Sequence, residues 1–181
     1  MPVYVENRRT SRSTLLSRYD NPTIIDTTSQ ATMPYRKLSP FYPHGNIPIP
    51  FSQGYYAVSV EGIWQGLKVF VNSDIDQSKF AVSNMRGIKR TSKANGQIIG
   101  HRKGVEGKAI LDYVTAKKEI YIPCYTWVIE QYLQDEMASL SKIAANSSLI
   151  LLDYNTGSDP FDLTKPVSHA TLCKNHLEAL V

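Results

Sequence analysis

Residues 148–153 read Ser-Leu-Ile-Leu-Leu-Asp. Four apolar residues in succession, with no polar residue between them, form a strand that buries both of its faces. Such a strand needs cover on each side, so it predicts a small sheet surrounded by helices. Upstream, Thr23-Ile24-Ile25-Asp26-Thr27 is short and β-branched, follows Asn21-Pro22, and reads as a second buried strand. Most other patterned stretches are helical: Ser59 to Val71, Glu106 to Lys118, Tyr125 to about Ala145 after an interruption at Pro123, and a closing helix from about Val167 to Leu180. A few short strands among these helices give an α+β fold. The length of 181 residues fits a single domain over 1–181.

Hydrophobic residues make up 42% and charged residues 20%, enough apolar material for a core without covalent staples. Cys124 and Cys173 are too few for a disulfide framework and read as core thiols in a reducing compartment. No run nears the roughly 18 apolar residues that a membrane span needs. The opening MPVYVENRRTSRSTLL has no apolar run of signal-peptide length. A cytoplasmic protein without a membrane partner is the expectation, with the oligomeric state left open. The net charge of +4 favours anionic partners without singling out nucleic acid. Residues 1–20, with Arg8, Arg9, Arg12 and Arg18, read as a flexible basic arm or as a first helix around Ser13–Tyr19. Residues 33–56 interleave five prolines with Tyr35, Phe41, Tyr42, Phe51, Tyr55 and Tyr56. That density forbids a long helix, while the aromatics argue for an ordered loop, with a short edge strand from Ile47 to Phe51.

The stretch with most chemistry is residues 59–71, Ser-Val-Glu-Gly-Ile-Trp-Gln-Gly-Leu-Lys-Val-Phe-Val. Ser59 is a suitable N-cap, and Glu61 in the first turn suits the positive end of the helix dipole. On a helical wheel Glu61, Gln65 and Lys68 fall within about 60° of one another, with Trp64 at the edge of the apolar arc. A carboxylate can act as general acid or base, and a desolvated lysine can act as an amine nucleophile. The same spacing also fits a solvent-facing stripe on an amphipathic helix. Gly62 and Gly66 are costly in a helix and point to close approach by another backbone or a ligand.

Residues 39–70 resemble the opening motif of the NADAR superfamily: an aromatic loop with a Phe/Tyr-Pro element, then a helix of the form [S/T]-V-E-x-x-[Y/W/F]-Q-x-x-K. Ser59, Val60, Glu61, Trp64, Gln65 and Lys68 fill those places. The late strand, the loop with Asp159 and Asp162 and the final helix also resemble that layout. The family's late Gly-Lys-Asn-x-Leu-Gly element is absent, and Pro166-Val167-Ser168-His169 stands there instead. The Arg-x-Asp-Trp element of the middle region is not found either, with Arg102 its nearest candidate. The whole chain further resembles an uncharacterised family of bacterial and phage proteins with the same SVEGIWQGLKVF core. The NADAR resemblance implies a NADAR-like fold, cleavage of N-glycosidic bonds in ribosyl-phosphate or ADP-ribosyl compounds, and no cofactor. It implies catalytic roles for Glu61 and for Asp159 or Asp162, and a nucleophilic role for Lys68. Trp64, Gln65, Phe41 and Tyr42 would line the substrate, and Arg90, Arg102 and Lys103 would hold phosphates.

Other constellations are weaker. His169, Cys173 and His176 share one helix face, but a fourth zinc ligand is not evident, so no metal is expected. GHRKGVEGK (100–108) is glycine-rich and basic, yet Arg102 and Ala109 occupy places where a P-loop needs glycine and a hydroxyl. Asp74 and Asp76 lack the glycine and glutamate of a calcium loop. Three functional readings therefore stand: an N-glycosidase on a small-molecule or ADP-ribosylated substrate, a nucleotide-ribose binding protein without chemistry, and a nucleic-acid-binding accessory protein using Lys89 to Lys103.

Overall fold

The structure, a computed structural model, describes residues 2–179. In chain order the elements are β1 (Val3–Asn7), α1 (Arg12–Arg18), β2 (Thr23–Asp26), β3 (Ile47–Pro48), β4 (Tyr56–Ala57), α2 (Val60–Gly66), β5 (Lys68–Phe70), α3 (Ser92–Asn95), β6 (Ile98–Arg102), β7 (Ile110–Leu111), α4 (Tyr113–Ala116), α5 (Ile122–Tyr132), α6 (Gln134–Asn146), β8 (Leu149–Asp153) and α7 (His169–Ala179). Two 3-10 turns, Tyr35–Leu38 and Gln77–Ala81, and a π-turn, Lys117–Tyr121, complete the set. The fold is mixed α+β. No helix among the described residues is long and apolar enough to cross a membrane. Leu180, the expected end of the closing helix, lies outside the described residues.

The chain forms two compact units that alternate along the sequence. The first comprises Met1–Ser39, Ile129–Asp159 and Lys165–Val181, and the second Pro40–Val128 and Pro160–Thr164.

The first unit is built on a parallel sheet in the order β1-β8-β2. β8 is central, pairing from Val3↔Leu149 to Asn7↔Asp153 on one side and from Thr23↔Leu149 to Asp26↔Leu152 on the other. Successive residues Leu149, Ile150 and Leu151 are each fully buried, so both faces of the strand are covered, as the unbroken apolar run requires. β8 ends on Asp153, a buried carboxylate whose Oδ2 lies 2.9 Å from His169 Nδ1 and accepts the Ser168 hydroxyl at 2.7 Å. His169 Nε2 reaches the Thr27 carbonyl at 2.9 Å. The loop after β2, the end of β8 and the start of α7 thus meet at one buried ion pair. Burial alone would lower the His169 pKa, but the Asp153 charge and hydrogen bond carry it above its ordinary value. Asp153 is held below its own despite burial, by His169 and Ser168.

Of residues 1–20, Val3–Asn7 form a strand and Arg12–Arg18 a helix, close to the helix expected around Ser13–Tyr19 and unlike a flexible arm. Val3-Tyr4-Val5 is a strand hidden among charged neighbours, and it pairs in register with β8. Ser11 caps α1 by accepting from the Thr14 N–H, and Leu15 is buried. Arg8 reaches Asp26 at 2.7 Å and Arg18 reaches Glu6 at 3.4 Å, so two of the four arginines pair within the unit.

The second unit holds a hairpin, β3 with β4, and an antiparallel sheet in the order β5-β6-β7. Lys68 lies opposite His101, and His101 opposite Leu111. Several sequence boundaries move here. The helix expected over Ser59–Val71 stops at Gly66, where the Gly66 carbonyl accepts from the Asp76 N–H at 2.8 Å. Lys68-Val69-Phe70 then runs as a strand, which suits a β-branched and aromatic run. The helix expected over Glu106–Lys118 begins only at Tyr113, after β7. Pro123 does not interrupt: it sits in the first turn of α5, directly after the π-turn. Proline lacks an N–H and clashes with the carbonyl four residues back, and a widened turn relieves both constraints. The long helix expected to about Ala145 is instead α5 and α6, broken at Leu133 (φ −114°, ψ 19°).

The two helix glycines have a packing cause. A Cβ on Gly62 would meet the Lys79 carbonyl oxygen at 2.7 Å, and one on Gly66 the Phe80 ring at 2.2 Å. The Gln77–Ala81 turn therefore lies directly on α2.

Two outcomes follow. Gly66→Ala loses about 1–3 kcal/mol by overpacking against buried Phe80, more than the roughly 1 kcal/mol of helix propensity it gains. Urea unfolding measures the balance, and a more stable variant would contradict the packing. Asp153→Asn loses about 3–5 kcal/mol at pH 6 by leaving His169 without its counter-charge. His169, with its raised pKa, contributes fully below about pH 6.5 and loses its contribution as pH rises through the folded value. Asp153, with its lowered pKa, contributes above about pH 3.8 and loses it as pH falls through the folded value. The stability gap between wild type and variant is therefore widest between those limits and narrows as the pH rises through the folded His169 value. Parallel profiles would contradict this.

Candidate functional site

The polar row of the Ser-Val-Glu stretch faces inward in the second unit. Ser59 Oγ accepts from the Gly62 N–H at 3.0 Å and fixes the first turn of α2. The Glu61 N–H donates to the Pro40 carbonyl at 2.8 Å, which ties the start of the proline–aromatic loop to the same turn. Glu61 is 7% exposed and Gln65 4%, values that exclude a solvent-facing stripe.

Gln65 joins the row. Its Nε2 donates to Glu61 Oε1 at 2.8 Å, and its Oε1 accepts from Lys68 Nζ at 3.1 Å and from the Arg90 N–H at 3.0 Å. One side-chain amide therefore links a buried carboxylate to a half-buried amine. Lys68 reaches this position from the first residue of β5 and not from the helix. Its pKa is lowered, chiefly by burial; the Glu61 charge opposes the shift, and Lys89 and Arg90 add to it. A depressed lysine pKa raises the fraction of free amine at neutral pH, as amine nucleophiles require.

Trp64 and His101 flank the row. The two rings lie 3.7 Å apart at 30°. Trp64 also stands 6.2 Å from Tyr113 and 5.6 Å from Tyr121, edge-on to the latter. His101 is 1% exposed, and neither ring nitrogen has a hydrogen-bond partner among the described residues. Burial, aided by the Lys68 charge, lowers its pKa to about 3, and the Trp64 backbone opposes the shift. The imidazole is neutral across the physiological range.

The cations expected to hold phosphate are engaged with the protein. Arg90 Nη1 donates to the carbonyls of Gln65 (3.3 Å) and Lys68 (2.7 Å), and Nη2 to Ser73 Oγ (2.5 Å) and the Asp74 carbonyl (2.6 Å). Arg90 is thus a clip across α2, β5 and the loop that follows. Arg102 forks onto Asp74 at 2.6 and 2.5 Å, an exposed pair in which the arginine hydrogen bonds are the main cause of the lowered Asp74 pKa. Lys103 pairs with Glu119 at 3.1 Å and lies over the Phe51 ring.

Phe41 and Tyr42 follow the Pro40 anchor. Lys89 Nζ lies 5.5 Å from the Phe41 centroid, and the Tyr42 ring stands 4.8 Å from His44. Of the late acids, Asp162 belongs to this unit. Its Oδ1 accepts from the Thr164 N–H at 2.7 Å, its backbone carbonyl accepts from Lys117 Nζ, and its charge helps to raise the Tyr113 pKa after burial. Asp159 is exposed and belongs to the other unit. His169, from the zinc-like trio, is instead the partner of Asp153, and Cys124 and Cys173 are buried.

The sequence placed His101 only in a basic stretch and did not mark it as a site residue. Its signal is the Lys68↔His101 pairing, which depends on a strand read as helix. Buried Lys117, on the π-turn with its ammonium 4.6 Å from the Tyr113 centroid, was missed as well.

A family model described as a family of unknown function (DUF6939) matches residues 7–173, and the chain belongs to that family. No curated protein matches the chain, and no solved structure does.

Glu61→Gln removes the charge that holds the Lys68 pKa up, so Lys68 then titrates at lower pH than in wild type. Side-chain NMR of Lys68 across pH reads the shift directly. An unchanged or higher value would break the electrostatic link between the two residues.

Proposed function

We propose that this DUF6939 chain is an N-glycosidic-bond hydrolase acting on a ribosyl-phosphate or ADP-ribosyl compound, with Lys68 as nucleophile and Glu61 as the carboxylate facing the anomeric carbon. The observation that carries the reading is the buried Glu61–Gln65–Lys68 row, in which one amide connects a carboxylate to a desolvated amine at 2.8 and 3.1 Å. The resemblance of residues 39–70 to the NADAR opening motif supports it.

In this reading the Lys68 amine adds to the anomeric carbon as the C–N bond breaks. The leaving base takes the bond's electron pair and, in turn, the proton that the amine loses. Positive charge builds on the sugar in that step, and the Glu61 carboxylate stabilises it. The ring then opens, the sugar oxygen takes the second amine proton, and an imine to Lys68 forms. Water hydrolyses the imine, which frees the sugar and restores the amine. Asp162, on the unit that carries the row, is the late acid the reading prefers to Asp159. The engagement of Arg90 with protein carbonyls takes it out of the phosphate-binding set. Trp64 is the aromatic wall beside the row.

A second reading is a nucleotide-ribose binding protein without turnover. It is favoured by Pro166–His169 standing where the NADAR family has its late Gly-Lys-Asn element. In this chain Ser168 and His169 of that stretch bond buried Asp153.

Chromatography of base release from N-ribosyl phosphates and ADP-ribosyl compounds separates the readings. Glu61→Gln and Lys68→Ala each reduce turnover by at least about 1000-fold while far-UV circular dichroism is unchanged. Turnover that survives both substitutions removes the mechanism. Calorimetric binding of ADP-ribose with no product supports the second reading.

A further inference from the structure

His101 is a buried polar side chain whose ring nitrogens have no hydrogen-bond partner among the described residues, and the mechanism above does not use it. A neutral imidazole has one N–H donor and one acceptor nitrogen, and burying both unspent is costly. Its neighbour in the sheet is informative. His101 pairs directly with Lys68 across β5 and β6, so the two side chains leave the same face of the sheet. Trp64 stacks on the imidazole at 3.7 Å, which fixes the ring plane while leaving the in-plane nitrogens for hydrogen bonding.

From this we infer that His101 is a sugar-binding residue, taking a hydroxyl next to the anomeric carbon that Lys68 attacks. The inference rests on the reading of Lys68 as nucleophile and narrows its substrate class to ribosides over 2′-deoxyribosides. The chemistry matches, because a hydroxyl both donates and accepts, as does a neutral imidazole, and the carbon bearing it adjoins the anomeric carbon. A neutral ring also keeps a second cation away from Lys68. Both nitrogens are closed off from solvent in the free chain. Binding therefore requires the half-buried side chains beside the ring, Trp64 or the Lys68 stem, to give way.

The test compares His101→Phe with wild type. Phenylalanine keeps the ring stacked on Trp64 and removes both nitrogens. Wild type prefers the riboside to its 2′-deoxy counterpart in kcat/KM by about 10-fold or more, and His101→Phe lowers kcat/KM for the riboside more than for the deoxyriboside, so that the preference falls. In parallel, the 15N signals of the His101 ring are followed while ribose 5-phosphate or ADP-ribose is added to the wild-type chain. Binding that shifts those signals without any turnover supports the sugar contact and removes only the reaction. Turnover with an equal riboside preference in both proteins overturns the role of His101 and leaves the reaction standing. Ligand binding that leaves the His101 signals unmoved overturns it too, and absence of both binding and turnover overturns the two readings together.

Discussion

The side-chain amide of Gln65 is the contact on which the arrangement of the second unit's polar centre depends. Placing a carboxylate and an amine together in a poorly solvated region is costly unless hydrogen bonds satisfy them. Gln65 offers a donor to Glu61 and an acceptor to Lys68, so it orients both without itself carrying charge. Its acceptor is also bound by the Arg90 N–H, and the Arg90 guanidinium fastens the carbonyls of Gln65 and Lys68. Helix, strand and following loop are thus held to one another at the point where the chemistry would occur. A short helix of seven residues has little stability of its own, and these contacts, with the Gln77–Ala81 turn against Gly62 and Gly66, explain why it persists.

The second structural constraint lies in the other unit, at the end of β8. An apolar strand buried on both faces finishes on a carboxylate, and that carboxylate needs partners. Ser168 and His169 provide them, and the start of α7 is fixed as a result. The spacing of His169, Cys173 and His176 that resembles a metal site is therefore compatible with a structural use of the first histidine, beside a buried thiol at the second position.

Several elements were legible in the sequence for clear physical reasons. β8 has an unbroken apolar run, β2 a β-branched one, and Ser59 is a strong cap, so each carries a local signal that tertiary context did not override. The inward-facing row was legible only as an alternative, because periodicity gives the relative angle of Glu61, Gln65 and Lys68 and not the direction they face. The end of α2 was misread because Phe70 and Val71 extend the helical spacing, while Lys68-Val69-Phe70 also forms a good strand. That single boundary hid the Lys68↔His101 pairing, and with it the most unusual buried group in the second unit. β1 was hidden by the arginines beside it. The glycines gave a true signal of close approach, and the approaching group is the chain itself.

The account stands on Lys68 as an amine that forms a covalent bond to a sugar. Borohydride added to the chain during incubation with an ADP-ribosyl or N-ribosyl phosphate compound reduces any imine to a stable secondary amine. Peptide mapping by mass spectrometry is predicted to find the sugar adduct on Lys68. An adduct on other lysines alone, or base release with no adduct on Lys68, would contradict the account.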